Sequence, residues 1–525
     1  MGAFPLLALW QSLPSIPILL AAFVAISILY ALVLAIYRVT LHPLARFPGP
    51  KLTAVTGWYE CFLDFFAGPG ETFAFAIERM HERYGSIVRI NPHEIHVSDP
   101  DFFDTLYAGG SARRDKYPPA AHVQGTPEGI FGTVDHQTHR KRRAAISGYF
   151  SKQSILQDQG IVDEKIELLC DVFSKAKREG KELNIRVPLL ALGTDVFCQH
   201  TLGPRGCMDL LKDWDRAATW RASIIALLHW TPVVRQFSWV MPFAVELPMW
   251  IIKAISQELA LVVSIFRDLR IQAAAAIAEH DSLEGEQKVR ANVFHTILSS
   301  NLEAHDKEVK RMAQEGFSIL SASGDTIARS MTAAMYHLHA NPPVLKRLKE
   351  ELKQAMPNPY AHVDLATLEA LPWLTAVLKE SLRIAALITT RAPLQAPTEW
   401  MRYQEWAIPP NTPVSMTLSS MALDAKTWPE PMRFIPERWM EENSEYKRNM
   451  GYFVPFHRGH RNCIGINLAW CQMYLTLAKL IRRFDFELYD VVRERDIDNY
   501  RDCFLGEPRD DSLGVRMKVV AEEAR

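Results

Sequence analysis

The sequence predicts one mainly α-helical domain with a small β portion, preceded by a single transmembrane helix. The chain has 525 residues, 48% of them hydrophobic, which is a globular composition and is long enough to enclose a large core. Beyond residue 51, apolar residues recur mostly with the period of a helix, and runs with strand character are few and short. Met1 to Tyr37, in contrast, contains no charged side chain, which is typical of a membrane-spanning segment.

The apolar run from Ile16 to Tyr37 is long enough to cross a bilayer as a helix. A cleaved signal peptide would show a basic first region, a shorter apolar stretch and a small-residue cleavage site, and none of these is evident. Arg38, Arg46 and Lys51 follow at once. The positive-inside rule then places that side in the cytosol and the N-terminus in the lumen.

A proline-containing linker separates this anchor from the rest of the chain. Arg46 to Lys51 reads RFPGPK, and its two prolines fix φ and cannot continue the helix. We therefore predict that residues 1–46 form the anchor with the start of the linker, and that residues 47–525 form a single domain. No internal repeat, low-complexity tract or second linker follows.

Charge and cysteine content exclude several classes of protein. The 59 basic and 60 acidic side chains give a net charge of −1, whereas nucleic-acid binders carry a basic excess. The seven cysteines are scattered and never form C-x-x-C, so neither a disulfide framework nor a zinc ribbon is indicated. The absence of an N-x-S/T sequon favours a cytosolic location for the body of the chain.

Five segments have the apolar period of helices, and three shorter segments have strand character. The predicted helices are Asp163 to Lys177, Met249 to Glu279, Lys307 to Ala340, Leu365 to Ala386 and Ile464 to Phe484. The predicted strands lie within Ser86 to Ser98, Trp406 to Thr417 and Leu513 to Val520.

The most informative stretch is FHRGHRNCIG, at Phe456 to Gly465, which carries one cysteine. A lone cysteine thiolate can serve as the axial ligand of haem iron. The apolar helix that starts at Ile464 would place Cys463 at a helix N-terminus, where partial positive charge stabilises a thiolate. Arg461 suits a haem propionate. The alternative is an inert buried thiol, the usual state of a free cysteine.

This loop also fits a known pattern. Its Phe456, Gly459, Arg461, Cys463 and Gly465 follow F-x-x-G-x-R-x-C-x-G, which resembles the haem-ligand loop of cytochrome P-450 enzymes. Five fixed positions recur by chance in such a chain with odds on the order of 10⁻⁴. The resemblance implies the cytochrome P-450 fold and haem b as the cofactor. It makes Cys463 the metal ligand and Phe456, Arg461 and Gly465 cofactor-binding residues.

Two further segments match the family in the expected order. Glu380 and Arg383 lie three apart on one predicted helix, where an ion pair can form, although any helical protein contains such pairs. FIPERW, at Phe434 to Trp439, then resembles the P-E-R-F/W stretch of the family. The resemblance implies that Arg438 completes a Glu–Arg–Arg network that holds the haem-binding core, which is a structural role.

Candidate ligands for the haem propionates come from two places. The segment from Asp135 to Ser151 resembles the one whose W-x-x-x-R pair contacts propionates, and here that pair reads His136 and Arg140. Arg142 and Arg143 stay open between a similar role and a solvated helix face.

A second propionate position departs from the family. Leu394 and Gln395 stand where the family usually has an arginine, so the resemblance leaves Arg391 as the nearby candidate.

The centre of the longest predicted helix reads SASGDTIARS and resembles the family pattern A-G-x-(D/E)-T-T. Asp325 and Thr326 match its acid and alcohol, whereas Ser323 and Ile327 depart from it. An Asp–Thr pair alone is more often without catalytic function. At this position we predict that the pair relays the two protons that dioxygen needs before its O–O bond breaks. Gly324 weakens the helix locally, which favours a groove for oxygen and water.

The resemblance extends from the anchor to the haem loop. It is strongest to fungal microsomal members of secondary metabolism such as trichodiene oxygenase, through HPLARFPGPKL, RINPHEIHVSDPDFFDTLY and WAIPPNTPVSMT. It implies a single-pass protein of the endoplasmic reticulum membrane with a cytosolic catalytic domain. Electrons would come from NADPH through NADPH–cytochrome P-450 reductase, with cytochrome b5 as a second candidate partner, because the chain shows no nucleotide-binding glycine motif.

The implied reaction is insertion of one oxygen atom from O₂ into a hydrophobic natural-product scaffold, with terpenoids first and polyketides or alkaloids next. Two rivals stay open: a reductase-independent haem-thiolate isomerase or dehydratase, and a non-enzymatic haem-binding protein. Retention of Asp325 and Thr326 speaks against both, because neither rival needs a proton relay.

Segments that face substrate in relatives are mostly apolar in this chain, so a hydrophobic small molecule is expected. They are Pro118 to Gly132, Thr219 to Phe243, Gly316 to Thr326, Ala386 to Ala392 and Cys503 to Glu507. The stretch from His229 to Trp250 holds three Trp and three Pro on an apolar background. It fits a membrane-dipping entrance and ordinary core packing equally well.

Overall fold

Helices dominate the computed structural model, which describes residues 16–68, 72–282 and 292–524. The first 15 residues of the predicted anchor lie outside the described residues. The helices, in chain order, are α1 Ile16–Thr40, α2 Lys51–Val55, α3 Trp58–Phe66, α4 Phe73–Tyr84, α5 Phe103–Leu106, α6 Pro118–Ala121, α7 His136–Ser147, α8 Lys152–Gln157, α9 Gln159–Glu179, α10 Arg186–Leu202, α11 Trp214–His229, α12 Thr231–Gln236, α13 Val240–Glu246, α14 Met249–Ile255, α15 Gln257–Ser282, α16 Val293–Leu298, α17 Val309–His339, α18 Pro342–Ala355, α19 Leu365–Glu369, α20 Pro372–Ala385, α21 Leu418–Ala422, α22 Tyr446–Tyr452, α23 Ile466–Arg483 and α24 Arg493–Asp496.

The strands are short and lie mainly at the edges of the helical body. They are β1 Ile87–Arg89, β2 Ile95–Val97, β3 Asp115–Lys116, β4 Leu183–Asn184, β5 Leu394–Gln395, β6 Met401–Tyr403, β7 Trp406–Ile408, β8 Val414–Ser415, β9 Phe484–Leu488, β10 Arg501–Cys503, β11 Leu505–Glu507 and β12 Arg516–Glu522. The largest sheet has the order β1-β2-β8-β5-β3, and β10 and β11 form a separate hairpin. The prediction of a mainly α fold with a small β portion is confirmed.

Helix α1 stands apart from the body of the protein. Its residues from Ile18 to Tyr37 are mostly exposed and apolar, and Pro17–Thr40 is long and apolar enough to cross a membrane. At its end, the guanidinium of Arg89 donates to the carbonyl of Arg38 over 2.8 Å, and Arg38 donates to the carbonyl of Val55 over 2.6 Å. These bonds attach the end of the apolar helix to the domain.

Helix α17 runs through the core and packs most extensively on α10. The two helices approach closely because each presents a glycine: a Cβ on Gly193 would lie 3.2 Å from the Cα of Gly324. A Cβ on Gly324 would lie only 2.3 Å from Oγ1 of Thr194. The helix is continuous through this point, so packing against α10, rather than a break in the helix, accounts for Gly324.

Two predicted helices are each divided in the structure. The predicted helix from Met249 to Glu279 breaks at Ser256, whose φ of −162° is extended. The one from Leu365 to Ala386 breaks at Leu371, because Pro372 disfavours the helical conformation in the residue before it and then begins α20. The apolar period continues across both breaks, so periodicity alone did not reveal them.

Candidate functional site

One cavity of about 410 Å³ lies between α17 and the loop that precedes α23. Most of its wall is apolar, with contributions from α11, the residues before β5 and the β10–β11 turn. At the turn, Phe504 has a φ of +74°, and its ring lies 5.9 Å from that of Phe131. Polar and charged side chains lie beside Cys463, on α17, and in a third part of the wall that includes Arg235, Thr390 and Arg391.

Cys463 lies well inside the protein, with its side chain open to the cavity. Burial raises the pKa of its thiol, while the N–H of Gly465 and the guanidinium of Arg143 oppose that rise. The N–H of Cys463 donates to the carbonyl of Phe456 over 2.9 Å, which closes the loop. Gly465 caps the N-terminus of α23, so the sulfur lies where helix dipole and amides favour a thiolate.

The loop can take this shape only because residue 459 is glycine. Gly459 has a φ of +69°, and a Cβ there would lie 2.2 Å from the carbonyl oxygen of Tyr107. Phe456 lines the cavity beside the cysteine, with its ring 5.7 Å from that of Trp470. The predicted loop residues are thus brought together around the sulfur.

Lys116, His139, Arg143 and Arg461 are four of the basic side chains that line the cavity near Cys463, and His457 of the loop itself is another. Burial lowers the pKa of all four, and the charge of Arg461 lowers those of Lys116 and His139 further, the latter to about 2. Among the described residues, none of the four has a carboxylate within 4.0 Å. Nε of Arg461 and Nδ1 of His139 are buried and have no hydrogen-bond partner within the part of the chain that the structure describes.

The remaining bonds of these cations go to neutral groups. Arg461 donates to the carbonyls of Thr133 and Val134 over 2.6 and 2.8 Å. Arg143 donates to the carbonyl and side-chain oxygens of Asn462 over 2.8 and 2.6 Å. Uncompensated positive charge is costly inside a protein, so this wall is built to receive an anionic group.

The predicted pair His136 and Arg140 does not line the cavity. Arg140 is exposed, and the buried ring of His136 packs 4.7 Å from that of His460. The pair that lines the cavity is His139 and Arg143, three residues further along α7. Both pairs have the spacing His-x-x-x-Arg and lie on adjacent faces of one helix. The spacing alone therefore cannot show which pair faces the cavity, because that depends on how the helix packs in the tertiary structure.

Arg391 lines the cavity wall, but its charge is already paired. Its guanidinium lies 2.6 Å from a carboxylate oxygen of Glu94 and 2.9 Å from one of Glu60. All three side chains are buried. Assignment of Arg391 to a propionate is therefore replaced by a structural role, because two carboxylates hold its guanidinium.

Lys116 lies across from Leu394, the position at which the family usually has an arginine. In the β3–β5 pair Lys116 is directly opposite Leu394. Its ammonium donates to the carbonyl of Phe131 over 2.6 Å and lies 3.5 Å from the centre of that ring. Sequence reasoning missed this residue, because the register of two-residue strands is not visible in the sequence.

The residues present fit haem b. Cys463 would supply the thiolate ligand, and Lys116, Arg143 and Arg461, with His139, would supply donors for the propionates. The apolar remainder of the cavity suits the macrocycle and a hydrophobic substrate.

The predicted Glu–Arg–Arg network is present as a set of buried contacts. Glu380 accepts two bonds from Arg383, over 2.7 and 2.9 Å, and lies 3.4 Å from Nε of Arg438. Its carboxylate also accepts from the indole N–H of Trp439 and from the N–H of Ile435. These bonds join α20 to the segment before α22, behind the Cys463 loop.

Asp325 and Thr326 both line the cavity from α17. Oγ1 of Thr326 donates to the carbonyl of Ala322 over 3.0 Å. The carboxylate of Asp325, however, is held by Arg186 of α10 through three contacts of 2.7 to 3.0 Å. The sequence predicted the acid and the alcohol but not the arginine.

The cavity beside Cys463 fits a haem-thiolate centre in a mainly helical fold, and comparisons with known proteins identify the family. The family model described as Cytochrome P450 matches residues 56–513. The chain therefore belongs to the cytochrome P450 family and is a monooxygenase of the oxidoreductase class.

Several fungal relatives match over almost the whole chain. Cytochrome P450 monooxygenase MO6277 of Ascocoryne sarcoides is 37% identical, over 93% of this chain and 96% of its own length. Conidiogenone synthase PchP450 of Penicillium rubens is 32% identical, over 93% and 96%. Tryptophan 6-hydroxylase fscE of Fusarium equiseti is 35% identical, over 93% and 94%. The haem domain of cytochrome P450DA shares the fold, with a TM-score of 0.70 at 15% identity, over 91% of this chain and 98% of that one.

We predict that Arg143→Gln weakens haem retention whereas Arg140→Gln does not. Loss of one charge-assisted hydrogen bond should speed haem transfer to excess apomyoglobin about tenfold or more. Arg140→Gln is the matched control on the same helix. Equal loss rates in the two variants would contradict the placement of Arg143 at the cofactor.

A second prediction concerns Lys116. Lys116→Leu should also speed haem transfer, and adding Leu394→Arg should restore retention, because the new guanidinium projects from the opposed position on β5. Haem content per protein and transfer rate measure both effects. If Leu394→Arg fails to rescue while the double variant remains folded, the two positions do not share one function.

Proposed function

We propose that this protein is an NADPH-dependent monooxygenase that inserts one oxygen atom from O₂ into a hydrophobic natural-product scaffold. The observation that carries the proposal is the cavity itself. It has Cys463 and a wall of basic side chains at one side and Asp325 with Thr326 at another. Haem, when bound through Cys463, supplies reductive activation of dioxygen. The residues around it orient the cofactor, exclude water and move protons.

Asp325 and Thr326 are proposed to deliver the protons. The hydroxyl of Thr326 lines the cavity and presents a rotatable O–H, whose proton is now directed at the carbonyl of Ala322. Asp325 is one residue away and can replace that proton through cavity water, provided that its carboxylate loosens from Arg186. The surrounding apolar wall limits competing water.

A separate flavoprotein reductase is the proposed electron donor, with cytochrome b5 as a second candidate. Helix α7 exposes Arg140 and Lys141, and α22 exposes Lys447, so the protein presents cations that an acidic partner can recognise. Arg140, which is exposed and does not line the cavity, fits this role. Such pairing would weaken with added salt.

The proposed location is the endoplasmic reticulum membrane, with a single span and the catalytic domain (residues 47–525) in the cytosol. Besides α1, large apolar side chains are exposed on α3, on α13 and the residue before it, and on α14: Trp58, Phe62, Phe66, Trp239, Phe243 and Trp250. In the region from His229 to Trp250, burial of Met241 and Val245 supports core packing, and exposure of three aromatic rings supports the proposed membrane entrance. Exposed Trp and Phe of this kind suit a membrane interface.

Substrate identity is proposed only by class. The apolar cavity wall supports a hydrophobic scaffold, with a terpenoid first and a polyketide or alkaloid next. Relatives of nearly equal identity bear names as different as conidiogenone synthase and tryptophan 6-hydroxylase. Metabolite profiling of a strain that lacks the gene would identify the natural substrate.

Thr326→Ala tests the reaction class. With the full chain and reductase in vesicles, the variant should still bind haem, show the red-shifted carbon-monoxide band of a thiolate ligand and consume NADPH. Peroxide released per NADPH should rise, because the donor hydroxyl is gone, whereas Asp325→Asn should slow turnover by about 10² or more. A wild-type peroxide yield in Thr326→Ala would remove Thr326 from the relay.

The membrane proposal predicts a two-part attachment. Deleting residues 1–46 should leave a haem-loaded domain that still binds vesicles weakly. Changing Trp239, Phe243 and Trp250 together to Ser in that truncation should weaken vesicle binding about tenfold or more. Trp400→Ser, at another exposed tryptophan, is the control. Failure of the truncation to load haem would contradict an independent domain.

A further inference from the structure

Arg186 is shared by two carboxylates, only one of which faces the cavity. On one side it binds Asp325, and on the other it donates to both oxygens of Glu507, over 2.9 and 2.7 Å. Its Nη2 contacts both acids. All three side chains are buried.

Glu507 ends strand β11, whose turn reaches the cavity through Phe504 and Leu505. Its own carboxylate does not line the cavity; it also accepts from Arg329 over 3.2 Å. Burial raises the pKa of Glu507, but Arg186 and Arg329 outweigh it and lower the value to about 2. Glu507 therefore stays ionised at all ordinary pH.

The cluster as a whole is rich in positive charge. Arg221 adds a third guanidinium that interacts with Arg186, Asp325 and Glu507, and burial lowers its pKa. No carboxylate lies within 4.0 Å of Arg221 among the residues that the structure describes. If Asp325 were the sole partner of Arg186, each protonation of Asp325 would leave a buried guanidinium unpaired, which is expensive.

We propose that Glu507 is a positioning residue for proton delivery by Asp325. Because Glu507 keeps Arg186 paired, the carboxylate of Asp325 can accept at one oxygen a proton that water relays from bulk solvent. It then gives that proton to the hydroxyl of Thr326, which passes its own proton on, and Asp325 returns ionised to Arg186. Asp325 acts on the proton, and Glu507 acts through Arg186. The inference rests on the proposed relay function of Asp325.

Glu507→Gln tests this, because it removes the charge and keeps the size. In the full chain with reductase in vesicles, NADPH oxidation without added substrate should fall about tenfold or more per haem, and the solvent deuterium isotope effect should rise. Glu507→Asp should recover most of the rate. Asp502→Asn in the same hairpin, which bonds Thr389 and Thr390 instead, should change neither quantity. An unchanged isotope effect in Glu507→Gln overturns the proposal.

A thermal double-mutant cycle provides a readout apart from turnover. Asp325→Asn should lower Tm more in the Glu507→Gln background than in the wild type, since Arg186 then loses its last carboxylate. Equal decreases would overturn the shared-arginine arrangement. Failure of the relay itself would appear separately, as a wild-type peroxide yield in Thr326→Ala.

Discussion

The close contact between α10 and α17 is the constraint on which the active cavity depends. Two glycines, Gly193 and Gly324, allow the helix axes to approach, and a side chain at either position would push them apart. That approach lets Arg186 at the start of α10 reach Asp325 on α17. The acid of the proposed relay is therefore positioned by backbone packing, and the charge pair follows from it.

Much of the fold and part of the site could be predicted from the sequence. Spacing around Cys463 specified the haem loop, because glycine, arginine and cysteine each meet a separate physical need there. Glu380 and Arg383 were predictable as neighbours on one helix, and Arg438 from its motif. The anchor was visible because no charge interrupts it. Each of these signals is local in the chain.

The parts that could not be predicted depend on register and packing between distant segments. His136 with Arg140 and His139 with Arg143 are both His-x-x-x-Arg pairs on α7. Only the packing of that helix against the rest of the protein places the second pair at the cavity. Lys116 is opposite Leu394 through a two-residue strand, which has no sequence signature. Arg391 has the charge expected of a propionate ligand. Its pairing with Glu60 and Glu94 could not be predicted, because these carboxylates come from segments about 300 residues away in the chain.

Buried charged residues in this protein fall into two kinds: those paired with opposite charges, which hold segments together, and those that lack such pairs and line the cavity. Glu380 and Arg391 have nearby partners of opposite charge and hold segments together. Among the described residues, the basic wall beside Cys463 makes no ion pair within 4.0 Å, and Asp115 and Asp135 act on Arg461 only from further away. Burial and the charge of Arg461 therefore lower the pKa of Lys116 well below its ordinary value. A propionate beside Lys116 would oppose both effects and favour the protonated amine. Haem binding would then be linked to protonation of Lys116, and the bound propionate would stabilise the buried charges around it.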